Sequence, residues 1–408
     1  MNELQGRTLF FPEMDYGGAR ILAAAFRAHG VDARVVPPSD AFSISLGGKC
    51  TSGDECYPTK ITLGDFLAIL EKKVVPREKA AFFMATADGP CRFGQYYNFI
   101  RRALDDQGYK DVPMYSLTSK TAYHGVGSGF ERLAWRGLVA SDVLRRFLHM
   151  IRPYAENAAD VDGIYEEEIE TVCDLVASGK AREMNALKGL LQKARGRFLG
   201  VRLARPRGSL PLIGVLGEIF CRLNTFSNED VIRKIEQHGA ECMLVGVAEW
   251  ILYTNADEIR RLSEQKRRFS KAYLKAVIKR KILLMDEHRL LAPFKKDFEG
   301  RDGANVYDLL NYSLPYLPWY GSLGEMTLSI GSVIHYNKIG CAGAVDIASF
   351  ACMNEIVAEA VFPKVSKDLK NFPIKVFYFE GTSTNLDRDI EIFLELARNY
   401  AQKAKDPH

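Results

Sequence analysis

A chain of 408 residues is too long for one hydrophobic core, so we expect two or three units of α/β size. Its composition is typical of a globular protein, with 47% hydrophobic and 26% charged residues. The net charge of +4 is too small to indicate a nucleic-acid-binding protein by itself, and we expect no nucleic-acid partner.

The chain carries no pattern typical of export or of a membrane protein. The opening residues, MNELQGRTLFFPEMD, lack the basic and then apolar order of a secretory signal. No apolar run approaches the roughly 20 residues of a membrane-spanning helix. We therefore expect a cytoplasmic protein without a membrane partner. In that compartment, the eight cysteines are expected to stay reduced rather than form a disulfide framework.

Short apolar runs alternate with helical patterns through the first part of the chain. Helices are predicted in ARILAAAFRAHG, near Asp65–Lys72 and in NFIRRALDDQG. Alternation of this kind is typical of parallel βαβ units. The predicted strands of this part are Thr8–Phe11, Ala33–Val36, Ala80–Thr86 and Val112–Leu117.

The last part of the chain repeats this order, and the fragments AHGVDARVV and QHGAECMLV lie at matching places. Its predicted strands are Leu212–Gly217, Glu241–Val247, Ala342–Ser349 and Ile374–Glu380. Helical patterns dominate the middle of the chain. We therefore predict an α/β protein with two Rossmann-like domains, each with a parallel sheet and flanking helices. Their expected bounds are residues 1–134 and 208–408, with a helical segment and linker at residues 135–207.

Several cysteines follow predicted strands, and ligands of open parallel sheets collect beyond the carboxyl ends of the strands. Cys50 and Cys56 lie in LGGKCTSGDECYPTK, which predicts a loop. Cys91 and Cys352 each follow the third strand of their half. Cys221 follows the first strand of the second half. Thiolates in such loops can converge on an iron–sulfur cluster.

The other cysteines lie elsewhere in the predicted fold. Cys242 and Cys341 are at the entry to strands, and Cys173 is inside a helix, where a buried small side chain is the simplest interpretation. Four thiolates could also bind zinc, but the chain has none of the CxxC pairs that are usual in structural zinc sites.

Several longer motifs resemble the 2-hydroxyacyl-CoA dehydratase superfamily, and the resemblance covers nearly the whole chain. The motifs are GDECYPTKITLGDFL, FFMATADGPCRFGQYY, VGVAEW, LSIGSVIHY, FACMNEIVAEAV and FYFEGTSTN. The closest likeness is to dehydratase-like proteins that work with ATP-dependent activases, including the double-cubane cluster proteins. One departure is Asn354, since relatives usually carry proline after the methionine that follows Cys352.

The resemblance implies paired Rossmann-like domains with a cysteine-bound [4Fe–4S] cluster between them, or in one branch an [8Fe–9S] double-cubane cluster. It places ligands at Cys56, Cys91 and Cys352, with Cys50 as the expected fourth. An activase with an actin-like fold would deliver a low-potential electron under anaerobic conditions. The substrate would be an acyl-CoA or another small molecule, and the chain would associate with itself or with a second subunit.

Further polar residues are candidates for the site. Arg92, Gln95 and Tyr96 follow Cys91 at a predicted helix start, where they either bind the cofactor or simply cap and pack the helix. The candidate proton donors lie near strand ends or in loops, and each also has a structural interpretation. They are Glu325, His335, Glu380 and, with weaker support, Glu249.

The stretch Arg260–Lys281 is densely basic. A solvated helix face is the simplest interpretation, and docking of an acidic partner surface or of coenzyme A phosphates is the functional alternative.

Two hypotheses for the function follow. The first is an iron–sulfur enzyme, a reductase or a dehydratase-like lyase component, that passes electrons to a substrate at an open iron. The second is a non-catalytic electron carrier or assembly subunit. A single cubane is favoured because a double cubane needs about six thiolates, which would require both Cys221 and Cys341.

Overall fold

The computed structural model describes residues 4–87, 91–116, 129–301, 303–320, 324–382 and 385–405. Within these residues the fold is α/β, with two four-stranded sheets in which every neighbouring pair of strands is parallel. The first sheet has the order β2-β1-β3-β4, with β1 at Thr8–Phe11, β2 at Ala33–Val35, β3 at Ala80–Phe83 and β4 at Met114–Tyr115. The second has the order β6-β5-β7-β8, with β5 at Leu212–Gly217, β6 at Glu241–Leu244, β7 at Gly343–Ser349 and β8 at Ile374–Phe379.

The predicted fold class is confirmed, because the two sheets have the same strand order and helices on their faces. All eight predicted strands are present, although several are shorter than predicted. For example, β3 ends at Phe83 rather than Thr86, since its partner β4 pairs with it only at Phe82 and Phe83. The predicted end of the fourth strand, Leu117, lies outside the described residues.

Helices of the first half begin earlier than the sequence patterns predict. Residues Leu46–Lys49, predicted as loop, end a helix that starts from a capping box between Asp40 and Ser43. The helix predicted near Asp65–Lys72 begins directly after Cys56, because Pro58 lies in its first turn, where proline is well tolerated. The helices are α1 at Tyr16–Arg27, α2 at Ala41–Lys49, α3 at Tyr57–Glu71 and α4 at Tyr96–Asp106.

The middle of the chain forms a helical layer on the first sheet, as α5 at Phe130–Ile151, α6 at Ala158–Ala177 and α7 at Met184–Leu199. Side chains alternate across β1, so that Leu9 and Phe11 pack against this layer while Phe10 packs on the other face with α3 and α4. The predicted boundary between residues 134 and 135 lies inside α5. This helix also packs against the second half of the chain, at β6 and at helix α10 (Val247–Glu264).

The second half carries helices on both faces of its sheet. The basic stretch Arg260–Lys281, predicted as helical, spans two helices with a break between them at residues 265–270. Besides α10, the helices are α8 at Ile219–Leu223, α9 at Val231–Gln237, α11 at Lys271–Leu291, α12 at Val306–Ser313, α13 at Met326–Lys338, α14 at Met353–Asp368 and α15 at Leu386–Lys405. No helix in the described part of the chain combines the length and apolar character of a membrane span.

The two halves share buried contacts. Tyr57 and Ile61, in the first turns of α3, are buried in the core of the second sheet. In the helical layer, Arg152 pairs with Glu236 of α9 at 2.5 Å. The burial of Tyr57 and Ile61 holds the N-terminus of α3 against the second sheet, and the ion pair joins the halves at a second place.

The packing of α2 on α3 generates a prediction. A Cβ atom at Gly64 would lie 2.0 Å from the carbonyl oxygen of Ser43. We therefore expect Gly64→Ala to lower the free energy of unfolding by about 1–3 kcal/mol. The control is Gly163→Ala in α6, where a Cβ meets no atom within 4 Å. This variant should be neutral or up to about 1 kcal/mol more stable. Equal effects of the two changes in denaturant unfolding would contradict the close packing.

Candidate functional site

Three cysteines, which we call the cap cysteines, each occupy the N-cap position of a helix. Cys56 precedes α3, Cys352 precedes α14, and Cys91 precedes a 3₁₀ helix at Arg92–Gln95 that leads into α4. Their φ angles are −58°, −68° and −62°, and none of their side chains makes a capping hydrogen bond. Ser, Thr, Asp and Asn are the usual N-cap residues because their oxygens accept such bonds. Helix capping therefore does not explain why cysteine occupies these positions.

The cap cysteines lie near the carboxyl ends of strands, where ligands bind in open parallel sheets. Cys91 follows β3, an inner strand of the first sheet, on the side where the strands end. Cys352 follows β7, and its amide donates a hydrogen bond to the carbonyl oxygen of Ser349, the last residue of that strand, at 3.0 Å. The predicted position of these cysteines, after the third strand of each half, is therefore confirmed.

The side chain of Arg92 joins the segments that carry the cap cysteines. Its Nη1 donates to the carbonyl oxygen of Asp54 at 2.6 Å, and its Nη2 donates to the carbonyl oxygen of Ala351. Asp54 lies two residues before one cap cysteine, Ala351 lies directly before another, and Arg92 itself follows the third. One guanidinium therefore contacts all three segments, two from the first half and one from the second.

Asn354 makes a second link between the halves. Its Nδ2 lies 4.0 Å from the Sγ of Cys91. Its Oδ1 is buried and has no hydrogen-bond partner within the described residues. Gly324 leaves room for this amide, because a Cβ there would lie 2.1 Å from Oδ1. The asparagine that departs from the usual proline thus faces a cap cysteine of the other half.

Burial holds the thiols of Cys91 and Cys352 in their protonated form. It raises the pKa of Cys91, and the carboxyl groups of Glu325 and Glu218 raise it further. It also raises the pKa of Cys352, with Glu355 as the next contributor. Any group that binds these residues as thiolates must therefore displace their protons and supply positive charge.

Cys221 is fully buried in α8. Its amide donates to Glu218 Oε2 at 2.8 Å. Burial raises the pKa of its thiol, and the nearby Glu218 and Cys352 add to the effect. Cys221 also contributes to the raised pKa of Tyr57, after burial itself, which places it near the N-terminus of α3. Each half of the chain therefore brings two cysteines to this region.

A group of acidic side chains, which we call the carboxyl cluster, accompanies the cysteines and consists of Glu218, Glu325, Asp346 and Glu355. Asp346 and Glu355 are fully buried, and Glu325 is 8% exposed. Burial raises the pKa of Glu325 to about 8 and that of Asp346 to about 7, although the charge of Arg222 acts in the opposite direction. Because one arginine cannot compensate four carboxylates, part of the carboxyl cluster is protonated at neutral pH.

Several oxygens of the carboxyl cluster accept weak hydrogen bonds or none from the described residues. Glu325 Oε2 accepts a weak bond from the amide of Ile219 at 3.4 Å, while Oε1 has no partner in the described part of the chain. The hydroxyl of Ser329 donates to Glu355 at 3.3 Å. Asp346 lies beside Glu355, whose protonated carboxyl donates a hydrogen bond to it and lowers its pKa, and no other described residue donates to the Asp346 oxygens. Unpaired buried oxygens are costly, so they mark positions where protons or a ligand are expected.

The three residues predicted to bind the cofactor have different environments. Arg92 makes the contacts described above with backbone carbonyl groups. Tyr96 is buried, and burial together with the nearby Cys56 raises the pKa of its hydroxyl. Gln95 is exposed, and its Oε1 accepts a hydrogen bond from Asn98 at 3.2 Å. Tyr96 is therefore in the site, whereas Gln95 faces away from it.

Cys50, the expected fourth ligand, is the C-cap residue of α2, at the start of the loop that leads to Cys56. Burial raises its pKa, and the groups that act on it next are Asp106, the last residue of α4, and Lys49. Cys50 packs against the core that contains Cys56, but no described hydrogen bond joins it to a cap cysteine. Its role as a ligand stays a prediction with less structural support than that of the other three.

The candidate proton donors are widely separated. Glu325 lies in the carboxyl cluster. His335 is in α13 rather than in a loop, roughly 15 Å further along that helix than Glu325 at 1.5 Å per residue. Glu380 is exposed after β8 and accepts a hydrogen bond from Thr382 at 2.9 Å. Glu249 lies in the first turn of α10, also not in a loop, and burial raises its pKa.

The remaining cysteines lie away from the site, as predicted. Cys173 is buried in α6, and Cys242 is in β6. Cys341 precedes β7, and the groups that act on its pKa after burial are Glu241, the first residue of β6, and Arg301. It therefore lies at the amino edge of the second sheet, opposite the edge that carries Cys352.

Sequence reasoning missed most of the carboxyl cluster. Asp346 had a detectable signal, since it is a charge inside the apolar strand AGAVDIAS. Glu218 follows β5 directly and caps α8, which also marks the carboxyl edge of the sheet. Arg222 and Glu355 lie in ordinary helical patterns and carry no such signal.

No three His, Cys, Asp or Glu side chains of the described residues lie close enough together to hold one metal ion. The ligands of a cubane bind different iron atoms and therefore surround a larger group than a single ion. The iron–sulfur prediction accordingly stays a prediction.

Comparison with known proteins adds nothing to the site. No family model matches the chain, and no curated protein matches it. The function therefore has to be argued from the residues of the site itself.

The contacts of Arg92 predict an effect on thiol exposure. Arg92→Ala should release the three cysteine segments from one another, so that Cys91 and Cys352 of cluster-free protein react severalfold faster with iodoacetamide. Peptide mass spectrometry measures the rate at each cysteine. The control is Arg102→Ala in α4, an exposed arginine whose described ion-pair partner is Asp106, at 3.9 Å. Equal alkylation rates in the two variants would contradict the linking role of Arg92.

The raised pKa of Glu325 predicts how stability depends on pH. Its carboxyl binds a proton more tightly in the folded chain, where its pKa is about 8, than at its ordinary value of 4.5. The resulting stabilisation is complete below pH 4.5 and is lost as the pH rises through 8. We therefore expect Glu325→Gln to flatten the decline in unfolding free energy over this interval.

Denaturant unfolding of cluster-free protein at several pH values measures the effect. The control is Glu380→Gln, which replaces an exposed carboxyl outside the carboxyl cluster. Asp346 should leave a residual decline in the Glu325→Gln variant, since its pKa is also raised, to about 7. Identical pH profiles for the wild type and Glu325→Gln would show that Glu325 is already ionised at neutral pH.

Proposed function

We propose that the chain binds an iron–sulfur cluster between its two halves and uses it in low-potential electron transfer to a substrate. The observation that carries the proposal is the meeting of three N-cap cysteines from both halves, joined by Arg92. Thiolates at helix N-termini are favoured by the helix dipole, and cysteine is the usual protein ligand of such clusters.

Cys56, Cys91 and Cys352 would hold the cluster. Cys221 and Cys50 are the candidates for a fourth thiolate, since Cys352 acts on the pKa of Cys221 and Cys50 packs against the core that contains Cys56. These residues suit a single cubane. A double cubane with six thiolates would also need Cys341, which lies at the opposite edge of the sheet.

A bound cluster would supply a one-electron carrier of low potential. The chain itself contributes the surroundings. Tyr96 covers the thiol of Cys56, and the amide of Asn354 points toward the thiol of Cys91, where hydrogen bonds to sulfur tune the potential. The carboxyl of Glu325 retains a proton at neutral pH beside this site, so that a proton is available where an electron arrives.

The sequence resemblance supplies the biological context of the proposal. It suggests a 2-hydroxyacyl-CoA dehydratase-like protein that receives its electron from a separate ATP-dependent activase. The substrate would be an acyl-CoA or another small molecule. The four cysteines and the buried acids near them are compatible with that chemistry, but they do not distinguish between these substrates.

The second hypothesis is a cluster-bearing electron carrier without a substrate. A carrier needs only a docking surface, whereas an enzyme needs a pocket that opens at the site.

Anaerobic reconstitution with iron and sulfide tests the proposal. We expect about four iron atoms per chain and a brown absorption in the wild type. Cys56→Ser and Cys91→Ser should lose most of this absorption, since a serine oxygen is a poor substitute for a soft thiolate. Cys173→Ser is the control and should retain it, because Cys173 is buried in α6. Protein isolated without oxygen that contains zinc and no iron would contradict the proposal.

The same measurement on Cys221→Ser separates the two hypotheses. Retention of the cluster with a changed electron paramagnetic resonance spectrum would indicate that Cys221 is the fourth ligand, which favours a carrier. Retention with an unchanged spectrum in both Cys221→Ser and Cys50→Ser would indicate an iron open to substrate. About eight iron atoms per chain, lost on replacement of Cys341, would overturn the single cubane.

A further inference from the structure

The outward face of α11 carries large apolar side chains that are substantially exposed to solvent. Leu274, Ile278 and Met285 are 60, 48 and 37% exposed and follow one another along one side of the helix. The opposite side of α11, from Ala276 to Leu290, is buried in the core. The helix is therefore anchored by one face and presents the other to solvent.

The outward face of α11 is also strongly basic. Every charged residue of α11 that is exposed is a cation, and the acidic residues Asp286 and Glu287 are turned inward. Phe269 is fully exposed at the start of the helix, next to a run of three cations. The exposed cations of the loop and helix are Lys266, Arg267, Arg268, Lys271, Lys275, Lys281 and Arg289.

The outward face of α15 has the opposite character. Ile392 and Leu396 are 53 and 56% exposed, one helical turn apart. Beside them Asp387, Glu391 and Glu395 recur at every fourth residue and are exposed. His238 lies 3.1 and 3.6 Å from the first two, and Arg398 lies 4.0 Å from the third, which also accepts a hydrogen bond from Asn399 at 3.3 Å. Arg388 is also exposed on this side.

The two faces match in spacing as well as in charge. Lys271 and Lys275 are four residues apart on the edge of the apolar stripe of α11, and the acids of α15 have the same interval. Four residues correspond to about 6 Å along a helix, so a cation row and an acid row can pair while the apolar stripes meet.

We propose that chains of this protein associate with one another through these faces, with α11 of one copy packed against α15 of a second. The proposal is independent of the function proposed above. Because the two faces differ, one contact is heterologous. Two such contacts close a dimer if both form at once, and otherwise they build a chain of copies.

The charges of the two faces favour a second copy of the chain over other binding partners of α11. Packing of α11 on the α11 of a second copy would place cation rows together, which is unfavourable. An anionic lipid surface would also attract the cations of α11. It would leave the acidic and apolar face of α15 unexplained, whereas a second copy accounts for both faces.

Analytical ultracentrifugation of the full chain tests the proposal. The wild type should be larger than the 45.8 kDa monomer at concentrations up to about 100 µM, and increasing salt should weaken the association. The variants Lys271→Glu/Lys275→Glu and Glu391→Lys/Glu395→Lys should each raise the dissociation constant by about tenfold or more. Circular dichroism and thermal unfolding check that both variants are folded.

The decisive experiment mixes the two charge-reversal variants. An equimolar mixture of the two variants should associate, because the acidic α11 of one can pair with the basic α15 of the other. The control, Lys193→Glu/Lys367→Glu, makes the same change in net charge at exposed positions of α7 and α14 and should associate like the wild type.

Three outcomes would overturn the proposal. The first is a wild type that remains monomeric at every concentration. The second is an association that neither charge reversal weakens, or that the mixture does not restore. The third is a monomer that binds vesicles of phosphatidylglycerol and phosphatidylcholine through Lys271 and Lys275, which would assign the α11 face to an anionic lipid surface.

Discussion

The burial of the first turns of α3 in the second sheet is the contact on which the site depends. Tyr57 and Ile61 belong to a helix of the first half, yet they pack among side chains of β5, β7 and α8. This packing fixes the N-terminus of α3, and therefore Cys56, close to the second half. Cys91 and Cys352 follow their own strands and need only the relative position of the two sheets. Helix α5 also joins the two halves, but the α3 contact is the one that brings Cys56 to the second sheet.

The carboxyl cluster lowers the stability of the fold. Four carboxyls share one arginine in a buried environment, and several of their oxygens are unpaired within the described residues. Such an arrangement is unfavourable compared with an apolar core of the same volume. Groups with strongly shifted pKa values are concentrated at functional sites, which is where folding tolerates this cost. The buried thiols beside the carboxyls have raised pKa values for the same reason, and a cationic ligand would relieve both.

The strands were predictable because parallel sheets buried on both faces need continuous apolar runs, and all eight runs are visible in the sequence. The loop predicted over Leu46–Lys49 failed because glycine usually marks a turn, whereas Gly47 permits contact between two helices. The positions of Cys91 and Cys352 followed from strand order alone. The carboxyl cluster did not, since Glu325 and Glu355 meet only through tertiary packing. The proximity of Cys221 to Cys352 was likewise visible only in the structure.

The equivalent strand order of the two halves and the differences between their side chains together explain the geometry of the site. Cys91 and Cys352 occupy equivalent places, after the third strand of each half, and each is followed by a residue that reaches across to the other segment. Arg92 donates to the carbonyl oxygen before Cys352, and Asn354 approaches the sulfur of Cys91. Each half therefore contacts the cysteine segment of the other. The two contacts differ in chemistry, since Arg92 binds a backbone carbonyl group and Asn354 approaches a thiol. Two equivalent segments that hold each other in this way define a shared position between the domains, to which each half contributes thiols.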